Sequence, residues 1–547
     1  MSDQSTKEFN QRLSQWVASQ GIWFQLRYSI PGESMRGRIL VQLMGLGLKL
    51  LLLVLLAGLV FWGYLYKRAG SEAFADSISE TLESQLAAAE LDLREVSYAD
   101  DRLMIARIAA EGGPATFFES LIIYNVSSDI GLLETFFGGW SDGGVRIGEL
   151  DIFLRAGAND PQAAAEMGQL ILGASGARAI DSMVVARANI QWGFSHATQG
   201  GIEDSRMLVQ RHERGWKLTF EGGRFSQNWL RDMEIVELVA VCGPDGIVFE
   251  KGEFTKGEGT VQFSQLKLES GYQPKLDGEI QLRDVDLVSL LPASAIRLVD
   301  GTISGDFGVF GSTNTPQGVG YEGRIRLGNG CIVSLKDTIP MLEALSVLDY
   351  TRRYHRLDFQ DGGFDLRMES GSIEVSNIAM EASKAEGEKE PKIVLGGAFK
   401  TRLPNKEELR QAIEDDLIDK RILPLGYDLS ENIDFAESSK DQAALIAQGF
   451  SKPDPRESAL FNRLNQAREF RQAQAKVSGA LAKLMQYEGE LIVSLPGTAF
   501  ERAGQLRELY PVNAESGRIE MKVPTSGLLE ELTVEQSEDM YAKGRRP

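Results

Sequence analysis

A ten-residue unit recurs in this chain and restricts what it can fold into. Gly371-Ser-Ile-Glu-Val-Ser-Asn-Ile-Ala-Met380 sets apolar residues two apart, steps by three, then sets two more two apart. The pattern returns at Gly259-Thr-Val-Gln-Phe-Ser-Gln-Leu-Lys-Leu268 and at Gly143-Gly-Val-Arg-Ile-Gly-Glu-Leu-Asp-Ile152. A copy without the Gly runs through Leu103, Ile105 and Ile108. Period two marks a strand with one apolar face. The step of three, as from Val375 to Ile378, keeps that face only if a β-bulge absorbs the extra residue. The leading Gly allows the positive φ of a turn into the strand. Repetition of such units predicts a long, repetitive antiparallel sheet.

Each of two copies continues into a return strand. Gly259–Leu268 is followed by Glu269, Pro274, Lys275 and then Leu276, Ile280 and Leu282. Gly371–Met380 is followed by Glu381, Pro391, Lys392 and then Ile393, Leu395 and Phe399, with a polar loop, Lys384 to Glu390. Both read as hairpins. With a bulge at each three-residue step, one apolar set emerges as the candidate binding face. It comprises Val261, Phe263, Leu266, Leu268, Ile325, Leu327, Phe364, Leu366, Ile373, Val375, Ile378, Met380, Leu395 and Phe399.

At 547 residues the chain exceeds one ordinary core. Its 43% hydrophobic content excludes disorder as the main state. A net charge of -20 opposes general nucleic-acid binding, which needs a basic surface. Cys242 and Cys331 are the only cysteines, so neither a disulfide framework nor a cysteine-rich metal site is present. They read as buried free thiols, although an oxidising compartment would permit one disulfide.

Residues 1–38 form an N-terminal segment placed on the cytoplasmic side. Phe9, Leu13, Trp16 and Val17 fall at helical spacing, which fits either a short amphipathic helix on a membrane surface or a frayed tail. Residues 39–66 are almost unbroken apolar and aromatic, interrupted by Lys49, and predict a transmembrane helix. Lys49 can snorkel, and Trp62, Tyr64 and Tyr66 form an aromatic belt. Arg27, Arg36 and Arg38 mark the inner side. Ala73-Phe74-Ala75 resembles a signal-peptide cleavage site, but the apolar run is too long and starts too far from Met1.

Residues 67–95 read as a helical connector, with Phe74, Ile78, Leu82, Leu86 and Ala89 on one stripe. Residues 96–403 read as the β-region, with helical interruptions expected near Thr116–Val126 and Pro161–Ala177. Residues 404–488 read as two or three helices broken at Ser451–Pro455, with Leu460, Leu464, Ala467 and Phe470 at helical spacing. Residues 489–547 return to strand and end in an acidic tail. The expected fold is mostly β with added helices. An N-terminal transmembrane helix leads into an elongated, curled, groove-like sheet, with a helical segment near the C-terminus.

Catalytic motifs fail on context. Gly139-Trp-Ser-Asp-Gly143 matches a nucleophile elbow but leads into a strand. Gly318-Val-Gly-Tyr-Glu-Gly323 matches a dinucleotide fingerprint but also opens a strand. His196, His212 and His355 lack triad or metal spacing. Neither a catalytic centre nor a cofactor or metal is expected.

Residues 301–403 resemble the C-terminal region of the AsmA-like family. The resemblance is carried by Gly301-Thr-Ile-Ser-Gly305, Gly323-Arg-Ile-Arg-Leu-Gly-Asn-Gly330, Ile339-Pro-Met-Leu-Glu-Ala-Leu-Ser-Val-Leu348, Phe359 through Phe364-Asp-Leu366, Gly371-Ser-Ile-Glu-Val-Ser-Asn-Ile378 and Gly396-Gly397-Ala-Phe399. The helical stretch after Asn405 departs from that pattern. The resemblance implies a bacterial inner-membrane anchor, a periplasmic bulk and an apolar groove for phospholipid or another acyl-chain lipid. Its implied role is phospholipid transfer between the two membranes or outer-membrane biogenesis. The alternative is a closed β-scaffold that binds other envelope proteins, because an apolar face reads the same against lipid or protein.

Overall fold

The computed structural model describes residues 3–19, 35–69, 71–99, 102–113, 116, 118–129, 144–154, 182–193, 199–213, 215–227, 230–243, 245–269, 275–287, 299–312, 318–328, 330–336, 356–384, 391–404, 454–480, 484–501 and 504–528. The chain divides into two compact units, Met1–Phe74 and Ala75–Pro547.

The described residues of the first unit include the helices α1 (Asp3–Ala18) and α2 (Met35–Ala69). On α1, Phe9, Leu13 and Trp16 are all exposed, so its apolar stripe faces outward. In α2, Leu51 to Leu56, Leu59, Val60, Phe61, Trp62 and Tyr64 are exposed, and Leu65 is buried. Among the described residues, no helix is long and apolar enough to cross a membrane.

The helix α3 (Glu72–Leu86) begins three residues before the second unit and buries Ile78 and Leu86 within it. It ends nine residues short of the expected connector. Ala87 takes φ of 48°, left-handed backbone that stops a helix, and the chain enters β1 (Ala88–Ala99).

The described residues then form one 20-stranded sheet. Its first half comprises β1, β2 (Arg102–Gly112), β3 (Phe118–Ser128), β4 (Val145–Leu154), β5 (Ser182–Trp192), β6 (Gly200–His212), β7 (Gly215–Glu221), β8 (Arg224–Gln227), β9 (Leu230–Gly243) and β10 (Gly246–Lys256). The second half comprises β11 (Gly259–Glu269), β12 (Leu276–Asp286), β13 (Val299–Gly311), β14 (Val319–Leu327), β15 (Val333–Lys336), β16 (Arg356–Glu369), β17 (Ser372–Ala382), β18 (Val394–Arg402), β19 (Gln486–Pro496) and β20 (Arg518–Leu528). Each strand pairs with its sequence neighbours. The exceptions are β7 with β8 and β14 with β15, which lie end to end as one interrupted strand between common partners. Among the described residues, every pairing is antiparallel except β4–β5, which is parallel. That pair corrects the all-antiparallel expectation. A parallel return needs a crossover, and the residues between the two strands include Pro161–Ala177, which lies outside the described residues.

Two further expectations are corrected. Thr116–Val126 is not helical, because β3 is paired by β2 and β4 on either side. The sheet does not end at residue 403 either. Arg402 on β18 pairs directly with Gln486 on β19, and β20 continues the ladder. The helical segment is therefore an insertion between adjacent strands. Its described helix is α4 (Ala459–Ala480). The expected break at Ser451–Pro455 is described only from Asp454, where a turn precedes the helix. The remainder of the expected helical segment before 454, the tail beyond 528, Gly139–Gly143 and Ile339–Leu348 lie outside the described residues.

Bulges fall at two of the expected three-residue steps, whereas the ladders keep register across Ile105–Ile108 and Ile147–Leu150, where neighbouring strands step together. The β11–β12 ladder shifts register between Ser264 and Lys267, and β17–β18 between Val375 and Ile378. Among the described residues, seven non-glycine residues inside strands have φ between 50° and 56°: Glu95, Asn125, Asp204, Asp232, Gln265, Asp284 and Asn377. Each follows a buried or half-buried side chain by two positions and precedes another by one, as Phe263 and Leu266 flank Gln265. Acidic and amide residues tolerate this left-handed backbone better than other side chains do. Neighbouring strands tie several of them down. Asp204, Asp232 and Asp284 donate their backbone N–H to Asn189 Oδ1, Ser226 Oγ and Ser304 Oγ at 2.8, 2.9 and 2.9 Å. Asn377 Nδ2 donates to Asp365 Oδ2 at 2.7 Å.

The turn before β17 is a two-residue loop in which Ser370 and Gly371 both have positive φ, the type I′ pattern that suits hairpin twist. Gly259 differs from its expected role. Its φ is ordinary, and it is glycine because a Cβ there would lie 2.4 Å from Val285 Cα on β12.

Candidate functional site

The fourteen residues of the predicted face lie together. Val261, Phe263, Leu266, Ile325, Leu327, Val375, Ile378, Met380 and Leu395 belong to one cluster of buried apolar side chains, and Leu268, Phe364, Leu366, Ile373 and Phe399 pack half-buried against it. The cluster runs from Leu86 and Phe118 through Phe254, Leu282, Phe307 and Phe359 to Val493 and Val523. It therefore follows one face of the sheet from β3 to β20. Aromatic rings continue it across strands, with Phe254 centred 5.1 Å from Phe225 and 5.4 Å from Phe263. Bulges explain how a single sheet covers this face. A strand bent at its middle turns the apolar side chains of its two arms toward each other.

The opposite face is polar. Cross-strand pairs such as Arg187–Glu149, Arg206–Glu221, Arg324–Asp365 and Arg367–Glu322 tile it. Such exposed pairs contribute little stability. Over β1–β4 this face is different, because α4 lies on it. Leu460 and Leu464, with Phe461, pack on Ala109, Ile122 and Tyr124 in a small separate apolar cluster. Around it stands a ring of charge. Glu457 pairs with Arg94 and Arg107, and Arg107 also reaches Asp92 at 3.2 Å. Ser458 Oγ donates to Asp92 Oδ2 at 2.7 Å. Arg463 pairs with Glu90 at 2.8 Å and with Glu111, and Arg468 with Asp151 at 2.6 Å. Arg471 donates to Ser120 Oγ at 3.2 Å and lies over the Phe153 ring at 4.0 Å.

Burial is felt in the titrations. Desolvation raises the Asp151 carboxyl above its ordinary pKa, against the opposing pull of the Asn189 hydrogen bond and of Arg468. Burial lowers Arg471. Glu457 is also partly desolvated, but Arg107 and Arg94 prevail and hold it below the ordinary carboxylate range.

A polar cavity of about 340 Å³ lies between α4 and strands β3–β6, lined by Asp151, Arg187, Asn189, Arg468 and Arg471 among others. These five charged or amide groups already bond protein partners, so the cavity is a by-product of the helix contact. A wider hollow of about 1250 Å³ sits at the turns joining β6 to β7 and β9 to β10, with His212, Trp216 and Asp245 on its wall. His196 and His355 lie outside the described residues. Among the described residues, no group of His, Cys, Asp and Glu could hold a metal ion. Cys242 and Cys331 are free, and burial pushes the Cys242 thiol up to about 12, which makes it unreactive.

Sequence reasoning located the apolar face and missed the α4 contact. The arginines of α4 meet carboxylates more than 300 residues away, as in Arg468 with Asp151, and no local pattern marks that pairing. In comparisons with known proteins, no family model, no curated protein and no solved structure matches this chain.

Proposed function

We propose that this chain is a membrane-anchored, non-enzymatic protein of the bacterial envelope whose apolar sheet face receives the acyl part of a phospholipid. Its role is phospholipid transfer between the inner and outer membranes, or outer-membrane biogenesis. The observation that carries this reading is the single apolar face continuing from β3 to β20. A chain of this length could divide such a face among several closed domains, and this one keeps it unbroken. Two features support the setting. On α2, Leu51 to Leu56, Leu59, Val60, Phe61, Trp62 and Tyr64 are exposed, an apolar surface that suits a bilayer better than water. Residues 301–403 carry the resemblance to the AsmA-like family. The anchor then crosses the inner membrane once over residues 39–66, with the N-terminus inside and the sheet in the periplasm. The net charge of -20 fits no nucleic-acid partner.

One observation favours a second reading. Val375, Ile378, Met380 and Leu395 are each only 7% exposed, so protein atoms already cover them. A sheet closed this tightly would serve as a scaffold for other envelope proteins. Native mass spectrometry of the full-length protein in mild detergent separates the two, using Val375→Asp and Leu327→Asp. The lipid reading expects bound phospholipid in the wild type and folded variants that have lost it. Unfolding of both variants would establish the packed scaffold, since an unpaired charge in a closed core costs several kcal/mol.

A further inference from the structure

The path of the chain around α4 constrains the sheet. The chain leaves β18 at Arg402, docks α4 on the polar face of β1–β4, and returns to β19 at Gln486, the direct partner of Arg402. Arg463 is fixed to Glu90 on β1 and Glu111 on β2. From Arg463 the helix continues to Ala480, and Gln486 follows six residues later. At ~1.5 Å per helical residue and at most ~3.5 Å per extended one, that path spans no more than about 47 Å. A flat sheet would set β1 and β19 about 77 Å apart at ~4.8 Å per strand, counting each interrupted strand once. The sheet therefore bends back on itself far enough to bring its first and last strands into the reach of one helix.

We propose that α4 is a releasable clasp that holds the two ends of the sheet together and so controls access to the apolar face. The chemistry of the contact suits release. Its apolar part is four buried side chains with two half-buried aromatics. The rest is ion pairs, of which Arg463 with Glu90 and Glu111 is exposed and open to screening. Among the described residues, no ladder joins β1 to β20, so opening would break no ladder between these strands. The inference rests on the curvature of the sheet and holds for a lipid carrier or a scaffold alike.

Spin labels at Ala89 on β1 and Glu488 on β19, both exposed and outside the α4 ion pairs, report the distance across the clasp. The native thiols are buried or raised in pKa and resist labelling. In the full-length protein at low salt, pulsed electron resonance should give one narrow distribution below about 55 Å, the chain reach extended by two strand residues. Combining Arg463→Glu, Arg468→Glu and Arg471→Glu should broaden and lengthen it. If that variant does not fold, the wild type carries the test instead. Raising salt from about 0.01 to 1 M shortens the screening length from about 30 to 3 Å and should shift the distribution the same way. A wild-type distance above about 70 Å, or one unchanged by both charge reversal and salt, would overturn the proposal.

Discussion

The two faces of the sheet are held by different physics. The apolar face buries large side chains, including Phe118, Phe254, Phe359 and Leu282, with at most 1% of their surface exposed. The polar face over β1–β4 is covered by α4 through ion pairs around a small apolar centre. Burial of apolar area depends weakly on salt and pH, whereas ion pairs depend on both. One chain thus combines a face held by apolar burial with a contact that can be loosened.

The largest effect should come from emptying the apolar cluster. Phe254→Ala leaves a cavity between Phe225 and Phe263 and should cost about 3–5 kcal/mol, read as a lower denaturant midpoint that salt does not alter. The clasp should respond next. Arg107 is nearly buried, with Asp92 and Glu457 as partners and the Phe461 ring 3.7 Å away. Glu457→Gln should cost about 3 kcal/mol, because it leaves the buried guanidinium underpaired. Half of that loss or less would show that Asp92 alone suffices.

The bulges give a smaller effect that sharpens the account of the bend. Asn377 holds φ of 50°, so a β-branched residue is strained there. Asn377→Val should cost about 1–2 kcal/mol and Asn377→Gly nearly nothing. Equal losses from both would show that the side-chain bond to Asp365, not the backbone, is what matters.

Acid acts on the clasp with two signs. Asp151 has a folded pKa raised by desolvation, so the fold binds its proton more tightly and stability falls as pH rises through the window above about 3.9. Glu457 is lowered by its arginines, so its contribution is present above its ordinary value and lost as pH falls through the lowered one. Asp151→Asn should therefore flatten the dependence above about pH 4 and leave the acid limb intact, as measured by urea midpoints across pH.

Much of the sheet was legible because bulges leave a mark in sequence. The step from Val375 to Ile378 is visible without coordinates, and Asn377 between them has the side chain that left-handed backbone favours. Asp232 between Leu230 and Met233, and Asp284 between Leu282 and Val285, carry the same mark. Strand β3 misled because it is covered on both faces. Leu121 and Ile123 belong to the apolar cluster while Ile122 and Tyr124 lie under α4, so alternation disappears into a continuous apolar run. Glu95 misled in another way, since its left-handed backbone breaks the alternation of Leu91, Leu93, Val96 and Tyr98 and hides a strand behind a helical stripe. The union of β18 with β19 was not legible, because its partners are separated by the α4 excursion.

The central claim is that the apolar face, and not the polar one, meets lipid. Adjacent positions on β18 test it directly. Phe399 packs half-buried against the apolar cluster, and Ala398 is exposed on the other side. A photo-reactive benzoylphenylalanine at each position, irradiated in cells, should yield a phospholipid adduct at 399 and none at 398, detected by mass spectrometry of the purified chain. Adducts at both positions, or at neither, would contradict the account.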